Sequence, residues 1–275
     1  MAEAKFENLP GSGKIPLLGL GTWGMGGGVS PNYSQDDKVI HAIKYALELG
    51  YTHIDTAEIY TSGHMEELVG QAIRGHQREK LFITTKVKPA NLRYQDVLDS
   101  FAGSLKRLRT DYVDLYLIHW PNSSIPLEDS FRALNQLVDR GQVRHLGVSN
   151  FNLSQLKEAG DLSETAIVTN QVPYSVFERQ YVRNGVLGYC QQNEIVVTAY
   201  TPIEKGRVAQ DSEIRQIADK HGATPVQIAL NWLIRQPKVI AIPMSMDEKH
   251  LEENLGALDI ELSEEDAQRL DRLSR

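Results

Sequence analysis

The segment Gly19-Leu-Gly21-Thr-Trp-Gly24-Met25-Gly-Gly-Gly28-Val-Ser-Pro31 decides the fold. Its first six residues have the G-x-G-x-x-G spacing of a dinucleotide-binding turn and follow a short apolar run, as such a turn must. That turn binds pyrophosphate only where it opens a helix, whose N-terminal amides meet the anion. Here three more glycines and Pro31 follow, and no helix begins in such a stretch. A doubly wound dinucleotide-binding domain is therefore excluded. Just upstream, Gly11-Ser-Gly13-Lys14 hints at a phosphate loop. Asn8, however, stands where its first glycine belongs, and Ile15 replaces the hydroxyl residue that would hold Mg, so the stretch reads as a turn.

Outward from this segment the chain alternates short apolar runs with helical periodicity. Strands are predicted at residues 17–22, 53–56, 81–87, 113–119, 143–149, 167–171, 195–201 and 239–243, eight in all. Amphipathic helices are predicted between them, at 36–49, 65–74, 94–108 and 127–139 among others. Ser154 is expected to cap the helix that carries Leu156, and Gly50, Gly75 and Gly141 to end theirs. The strands read as nearly continuous apolar runs, the mark of a parallel sheet buried on both faces. Eight alternations without a linker predict an α/β fold, a single (β/α)8 TIM barrel domain over residues 1–275. A hairpin plug at 8–16 and two added helices, 212–221 before the Pro225 helix and 263–273 at the end, complete it.

The 275 residues carry 29 Lys+Arg against 36 Asp+Glu, a net charge of -7. The acidic balance argues against a nucleic-acid footprint and against a membrane surface as partner. A composition of 41% apolar residues, 21 Gly and 11 Pro excludes a disordered or collagen-like chain, and one cysteine, Cys190, excludes a disulfide scaffold. The N-terminus carries two acids and no apolar targeting core, and no stretch approaches a membrane span. A soluble, cytoplasmic monomer is expected.

At the C-terminal strand ends of a barrel, a charged residue that closes an apolar run needs a reason. Asp55, Lys86 and His119 close three successive runs in that way, and Tyr60 lies five residues past Asp55. One reading is a structural Asp55/Lys86 ion pair beside a core histidine. The other assigns chemistry. An unperturbed tyrosine, with a pKa of about 10, is a poor acid near neutrality, and a lysine beside it is expected to lower that value. Asp55 would keep Lys86 charged, and neutral His119 would donate a hydrogen bond to a substrate oxygen. Such a site delivers a proton to a carbonyl oxygen, with the hydride coming from a cofactor. Two rivals use the same residues. Lys86 would serve a Schiff-base aldolase only if neutral, which Asp55 opposes, and His53, Asp55 and His119 are the types that a metal hydrolase would need.

The chain resembles the aldo-keto reductases of bacterial and archaeal type over essentially its whole length. The resemblance rests on Leu18-Gly-Leu-Gly-Thr-Trp23, Ile54-Asp-Thr-Ala-Glu-Ile-Tyr60, Thr85-Lys86, Asp111-Tyr-Val-Asp-Leu-Tyr-Leu-Ile-His-Trp-Pro121, Gly147-Val-Ser-Asn-Phe151, Thr169-Asn-Gln-Val-Pro-Tyr174 and Ala241-Ile-Pro243, in the family's order and spacing. It implies that Asp55, Tyr60, Lys86 and His119 are a catalytic tetrad, with Tyr60 as general acid in reduction and general base in oxidation. It also implies NADPH and/or NADH lying extended across the barrel mouth, aldehydes or ketones as substrates, and no metal. By the same resemblance Gly21, Thr22, Ser149, Asn150, Gln171 and Tyr200 contact the nicotinamide end. Thr201, Pro202, Ile203, Lys205 and Arg207 cover the pyrophosphate, and Ile242, Met244, Ser245, His250, Glu253 and Asn254 lie at the adenosine end. Some relatives keep the barrel and cofactor as non-catalytic regulatory subunits, the alternative function.

One departure bears on cofactor choice. Many members read Ile-Pro-Lys-Ser and then place an arginine, and these two cations grip the 2'-phosphate of NADPH. Met244 and His250 stand at those positions, and the segment 247–266 holds nine acids against one basic residue, Lys249. Dual or NADH-leaning use is predicted. Trp23, Ile59, Trp120 and Asn122 are expected to line the substrate pocket. The chain stops soon after the last helix, so the long C-terminal loop of the family's animal members is not expected and the site should be open.

Overall fold

The computed structural model describes residues 5–273; residues 1–4, where the acidic N-terminus begins, and 274–275 lie outside the described residues. An antiparallel hairpin comes first, β1 (Phe6–Asn8) and β2 (Lys14–Pro16). There follow β3 (Leu20–Gly21), α1 (Asp36–Leu49), β4 (His53–Asp55), α2 (His64–Ala72), β5 (Phe82–Val87), α3 (Tyr94–Leu108) and β6 (Val113–Ile118). The chain continues with α4 (Leu127–Asp139), β7 (Val143–Ser149), α5 (Leu153–Leu162), β8 (Ile167–Pro173), α6 (Gln180–Arg183), α7 (Val186–Gln192) and β9 (Val196–Tyr200). It ends with α8 (Ser212–His221), α9 (Pro225–Ile234), β10 (Val239–Ala241), α10 (Glu248–Gly256) and α11 (Glu264–Asp271).

Strands β3 to β10 form one eight-stranded parallel sheet in sequence order. The two edges meet. Leu18 bridges Ala241, the Gly19 amide donates to the Ala241 carbonyl at 2.9 Å, and the Ala241 amide donates to Leu17 at 3.0 Å. Residues 17–19 pair across the seam to β10 and only Leu20 and Gly21 pair with β4, so β3 is shorter than the expected run 17–22.

Two apolar cores result. The larger lies between the strands and the helices, and receives Val39, Ile43 and Ala46 of α1 and Phe131, Leu134 and Leu137 of α4, positions three or four apart on one helical face. The smaller joins Leu9 and Ile15 of the hairpin to Leu115, Leu117, Val168, Val196 and Ile240 of the strands. The hairpin thus stoppers the barrel floor as expected, although its first strand starts two residues before the predicted 8–16. Gly147 sits at a register shift in β7, where a Cβ would stand 2.6 Å from Leu117 and 2.7 Å from Thr169. Only glycine allows those strands to pack.

The helix ends follow local chemistry. Gly50 closes α1 in the left-handed region, φ 109°, with its amide bonded to the Ala46 and Leu47 carbonyls. The cap of α5 is Asn152, in a reciprocal capping box with Gln155, and not Ser154, which lies inside the first turn. Helix α11 ends at Asp271, short of the predicted 273, and is tied to α8 through buried Asp266, which accepts from Lys220 and His221 at 2.8 Å each.

Candidate active site

Strands β4, β5 and β6 are hydrogen-bonded neighbours, so the polar residues that end their apolar runs meet at one rim of the barrel. Lys86 of β5 is fully buried and donates to Asp55 Oδ1 at 2.5 Å and to the Thr56 carbonyl at 2.8 Å. Its third neighbour is the Tyr60 hydroxyl, 3.3 Å away. The second Asp55 oxygen accepts from Gln171 Nε2 at 2.8 Å, so the carboxylate is held from β8 as well as from β5. The His119 ring stands edge-on to Tyr60 with centroids 5.6 Å apart. The four residues singled out at the strand ends are therefore in one cluster.

Burial decides their protonation. It pulls His119 down to about 3, and the Lys86 charge adds to this, so the imidazole is neutral at physiological pH. Burial also lowers Lys86, against the opposing attraction of Asp55 and Glu66. For Tyr60 the sequence expectation is reversed. Burial first, and the Asp55 carboxylate second, push the phenol well above its ordinary value. A lysine at 3.3 Å does not offset the loss of water around the hydroxyl, and Tyr60 holds its proton.

Around this cluster the residues expected to hold a cofactor fall at successive strand ends. Ser149 ends β7 and donates to the Gln171 carbonyl at 2.9 Å. Asn150, left-handed at φ 63°, donates to Ser149 Oγ at 2.9 Å and to the His119 carbonyl at 3.2 Å, and its Oδ1 accepts from the Tyr200 hydroxyl at 2.9 Å. Tyr200, at the end of β9, is tethered at its hydroxyl with its side chain only partly buried. Thr22 Oγ1 donates to the Asp55 carbonyl at 2.9 Å, and a Cβ on Gly21 would lie 2.6 Å from the Ile242 carbonyl. Past β9, Thr201, Glu204 and Lys205 are all left-handed; Pro202 is buried, Ile203 half-buried, and Lys205 and Arg207 are exposed. The Arg207 guanidinium stacks 4.4 Å from the Phe177 ring.

The adenosine-end candidates lie in and just before α10. Ile242 is buried, Met244 is exposed, and buried Ser245 accepts from the Asp247 amide at 3.0 Å. The His250 and Lys249 side chains are exposed, Glu253 is half-buried 3.9 Å from Lys249, and Asn254 is buried beside Tyr51. A hydroxyl and two amides at one end, a partly exposed aromatic ring beside them and two exposed cations further along fit an extended nicotinamide dinucleotide. Of the substrate-pocket candidates, half-exposed Trp23 tilts over Tyr60 with centroids 4.9 Å apart. Half-exposed Trp120 follows His119, and Ile59 is half-buried beside Tyr60. Asn122 is engaged by its own turns, donating to the Pro89 carbonyl at 2.9 Å and accepting from the Ser124 amide at 3.0 Å.

The rival chemistries are not assembled. Among the described residues no three His, Cys, Asp or Glu side chains gather as metal ligands, and His53 is turned to Thr84 at 3.0 Å. Lys86 remains paired with a carboxylate, the opposite of what an amine nucleophile needs. Sequence reasoning missed Glu66, wholly buried on α2, which accepts from Thr85 next to Lys86. The only signal was an acid set among the apolar positions Met65, Leu68 and Val69 of an amphipathic helix.

Residues 17–275 match the sequence model of the Aldo/keto reductase family. Methylglyoxal reductase YeaE of Escherichia coli (strain K12) is 35% identical over 276 residues, 98% of this chain and 95% of the relative. The thermostable aldo-keto reductase Tm1743, solved with the inhibitor epalrestat, superposes with a TM-score of 0.95 at 46% identity, over 98% of this chain and 100% of its own. An aldo/keto reductase from Klebsiella pneumoniae, solved with NADP and acetate, gives 0.88 at 37% identity, over 98% and 95% of the two chains. The chain belongs to the aldo/keto reductase family.

Proposed function

We propose that this protein reduces the carbonyl group of small aldehydes or ketones with a nicotinamide cofactor, reversibly, with Tyr60 as the proton donor. The observation that carries the reading is the buried Tyr60 hydroxyl 3.3 Å from the Lys86 amine, which Asp55 and a backbone carbonyl hold in place. When bound, the cofactor supplies the hydride. Ser149, Asn150 and Gln171 would hold its carboxamide, Tyr200 would stack on the ring, and Lys205 and Arg207 would offset phosphate charge.

A carbonyl oxygen beneath Trp23 would accept from both Tyr60 and neutral His119. As negative charge grows on that oxygen, Tyr60 passes its proton to it. The phenolate left behind faces Lys86, so the lysine acts on the charged form that appears during reaction rather than on the resting phenol. Asp55 keeps Lys86 protonated at that moment. In the oxidation direction the same phenolate takes the proton back.

The relative's action on methylglyoxal makes 2-oxoaldehydes the first substrates to test. For the cofactor, the exposed Met244 and His250 place neither lysine nor arginine where a 2'-phosphate would sit, and His250 lies 3.8 Å from Asp247. Loss of one charge-assisted hydrogen bond is worth about 1.5–3 kcal/mol, or roughly tenfold to a hundredfold in preference. Dual or NADH-leaning use follows. The test is oxidation of NADPH and of NADH by the purified protein with methylglyoxal and a panel of aldehydes and ketones, with and without EDTA. Turnover insensitive to EDTA is expected. Cofactor binding without turnover of any carbonyl would overturn the reading in favour of a regulatory subunit, and an NADPH preference above about a thousandfold would overturn the weakened phosphate site.

A further inference from the structure

We infer that Glu66 is a positioning residue for the Tyr60–Lys86 pair, tying the loop that carries Tyr60 to the strand that carries Lys86. The inference rests on the carbonyl-reductase reading above and concerns residues outside the cluster that would touch substrate.

Tyr60 is followed by three left-handed residues, Thr61 at φ 48°, Ser62 at φ 56° and Gly63 at φ 93°. Two consecutive non-glycine residues in that region are strained, and their surroundings must impose the conformation. On one side the Gly28 carbonyl accepts from the Thr61 amide at 3.0 Å and the Val29 carbonyl from Ser62 Oγ at 3.1 Å, both on an exposed glycine-rich segment. The other wall is a side chain. The Arg107 side chain fills the space beside Gly63, where a Cβ would stand 3.0 Å from it.

Glu66 fixes that wall. Its Oε2 accepts from Arg107 Nε at 2.7 Å, and its Oε1 accepts from Thr85 Oγ1 at 2.6 Å. One carboxylate in the first turn of α2, directly after the strained turn, thereby joins α2, α3 and β5. An apolar side chain at this buried position would avoid the desolvation of a charge. The carboxylate does what packing cannot: it orients the arginine that supports the Tyr60 turn and the threonine adjoining Lys86.

Its charge also reaches Lys86. The groups acting on that ammonium are Asp55 and His53 of β4, Tyr60, His119 after β6, and Glu66 of α2. Asp55 and Glu66 favour the charged form against burial.

Glu66→Gln keeps the shape and an acceptor for Thr85 but removes the charge. Its kcat for carbonyl reduction should fall by roughly tenfold to a hundredfold, as expected for a misplaced proton donor, with KM changed by less than about twofold. The alkaline limb of kcat should move to lower pH, because Lys86 loses its proton more readily. Thr85→Val keeps the Glu66–Arg107 pair and severs only the link to β5; kcat should fall with the limb unmoved. A folded Glu66→Gln protein with wild-type kcat and wild-type limb would overturn the inference, even with a lowered Tm, because a merely structural role moves Tm alone. Should Glu66→Gln fail to fold, an unchanged kcat in Thr85→Val overturns it. The underlying reading fails separately, if the wild type reduces no carbonyl or Tyr60→Phe retains its rate.

Discussion

Removing both members of the buried ion pair at the rim should harm stability less than removing either one. Asp55→Asn leaves the Lys86 ammonium, with no exposed surface, without a carboxylate in hydrogen-bond contact; its partners are then neutral, the Thr56 carbonyl at 2.8 Å, the phenol at 3.3 Å and the new amide oxygen. Lys86→Met leaves the Asp55 carboxylate with the Gln171 amide at 2.8 Å as its remaining side-chain donor. An uncompensated buried charge costs about 3–5 kcal/mol, a Tm lower by about 6–20 °C at roughly 2–4 °C per kcal/mol. In the double variant no charge is stranded, and stability should return to within about 1 kcal/mol of wild type. Carbonyl reduction should be lost in all three. Thermal unfolding of the four proteins at one pH, beside their NAD(P)H oxidation rates, measures both. A double variant whose loss is the sum of the two singles would refute the reasoning, as would singles as stable as wild type. The predicted pattern would mean that the pair is retained for chemistry, since stability does not need it.

Two further outcomes follow from the structure. Burial pulls His53 from 6.5 down to about 4, so between those values the unfolded chain binds more protons than the folded one. Its contribution is present above pH 6.5 and about 3 kcal/mol is lost as pH falls to 4; stability that falls with pH as steeply in His53→Gln as in wild type would contradict this. Placing cations at the adenosine end, Met244→Lys with His250→Arg, should raise the NADPH-to-NADH ratio of kcat/KM by roughly tenfold to a hundredfold, and an unchanged ratio would show that the phosphate is gripped elsewhere.

The barrel was legible because its strands are buried on both faces. Runs such as Val113–Ile118, buried throughout, cannot be solvent-facing strands, and repetition of such runs between helices leaves few folds. The seam was not legible, because pairing of residues 17–19 with β10 depends on edges more than 200 residues apart. Asp55, Lys86 and His119 stood out because each ends an apolar run with a charge or an imidazole. Glu66 did not, since an acid beside Glu67 on an amphipathic helix reads as surface, and its partners Thr85 and Arg107 lie 19 and 41 residues away. The direction of the Tyr60 shift is hidden in the sequence for a related reason. Sequence supplies the neighbouring lysine but not the depth of burial, and burial is the larger effect.

The most direct test of the central claim is the single-turnover rate of methylglyoxal reduction by Tyr60→Phe loaded with NADPH, with cofactor affinity measured on the same preparation. The phenyl ring keeps the contact with Trp23 and removes only the hydroxyl that faces Lys86. Loss of a general acid predicts a rate lower by about 10²–10⁴-fold with cofactor affinity unchanged. A wild-type single-turnover rate in Tyr60→Phe would show that the proton comes from another group and contradict the account.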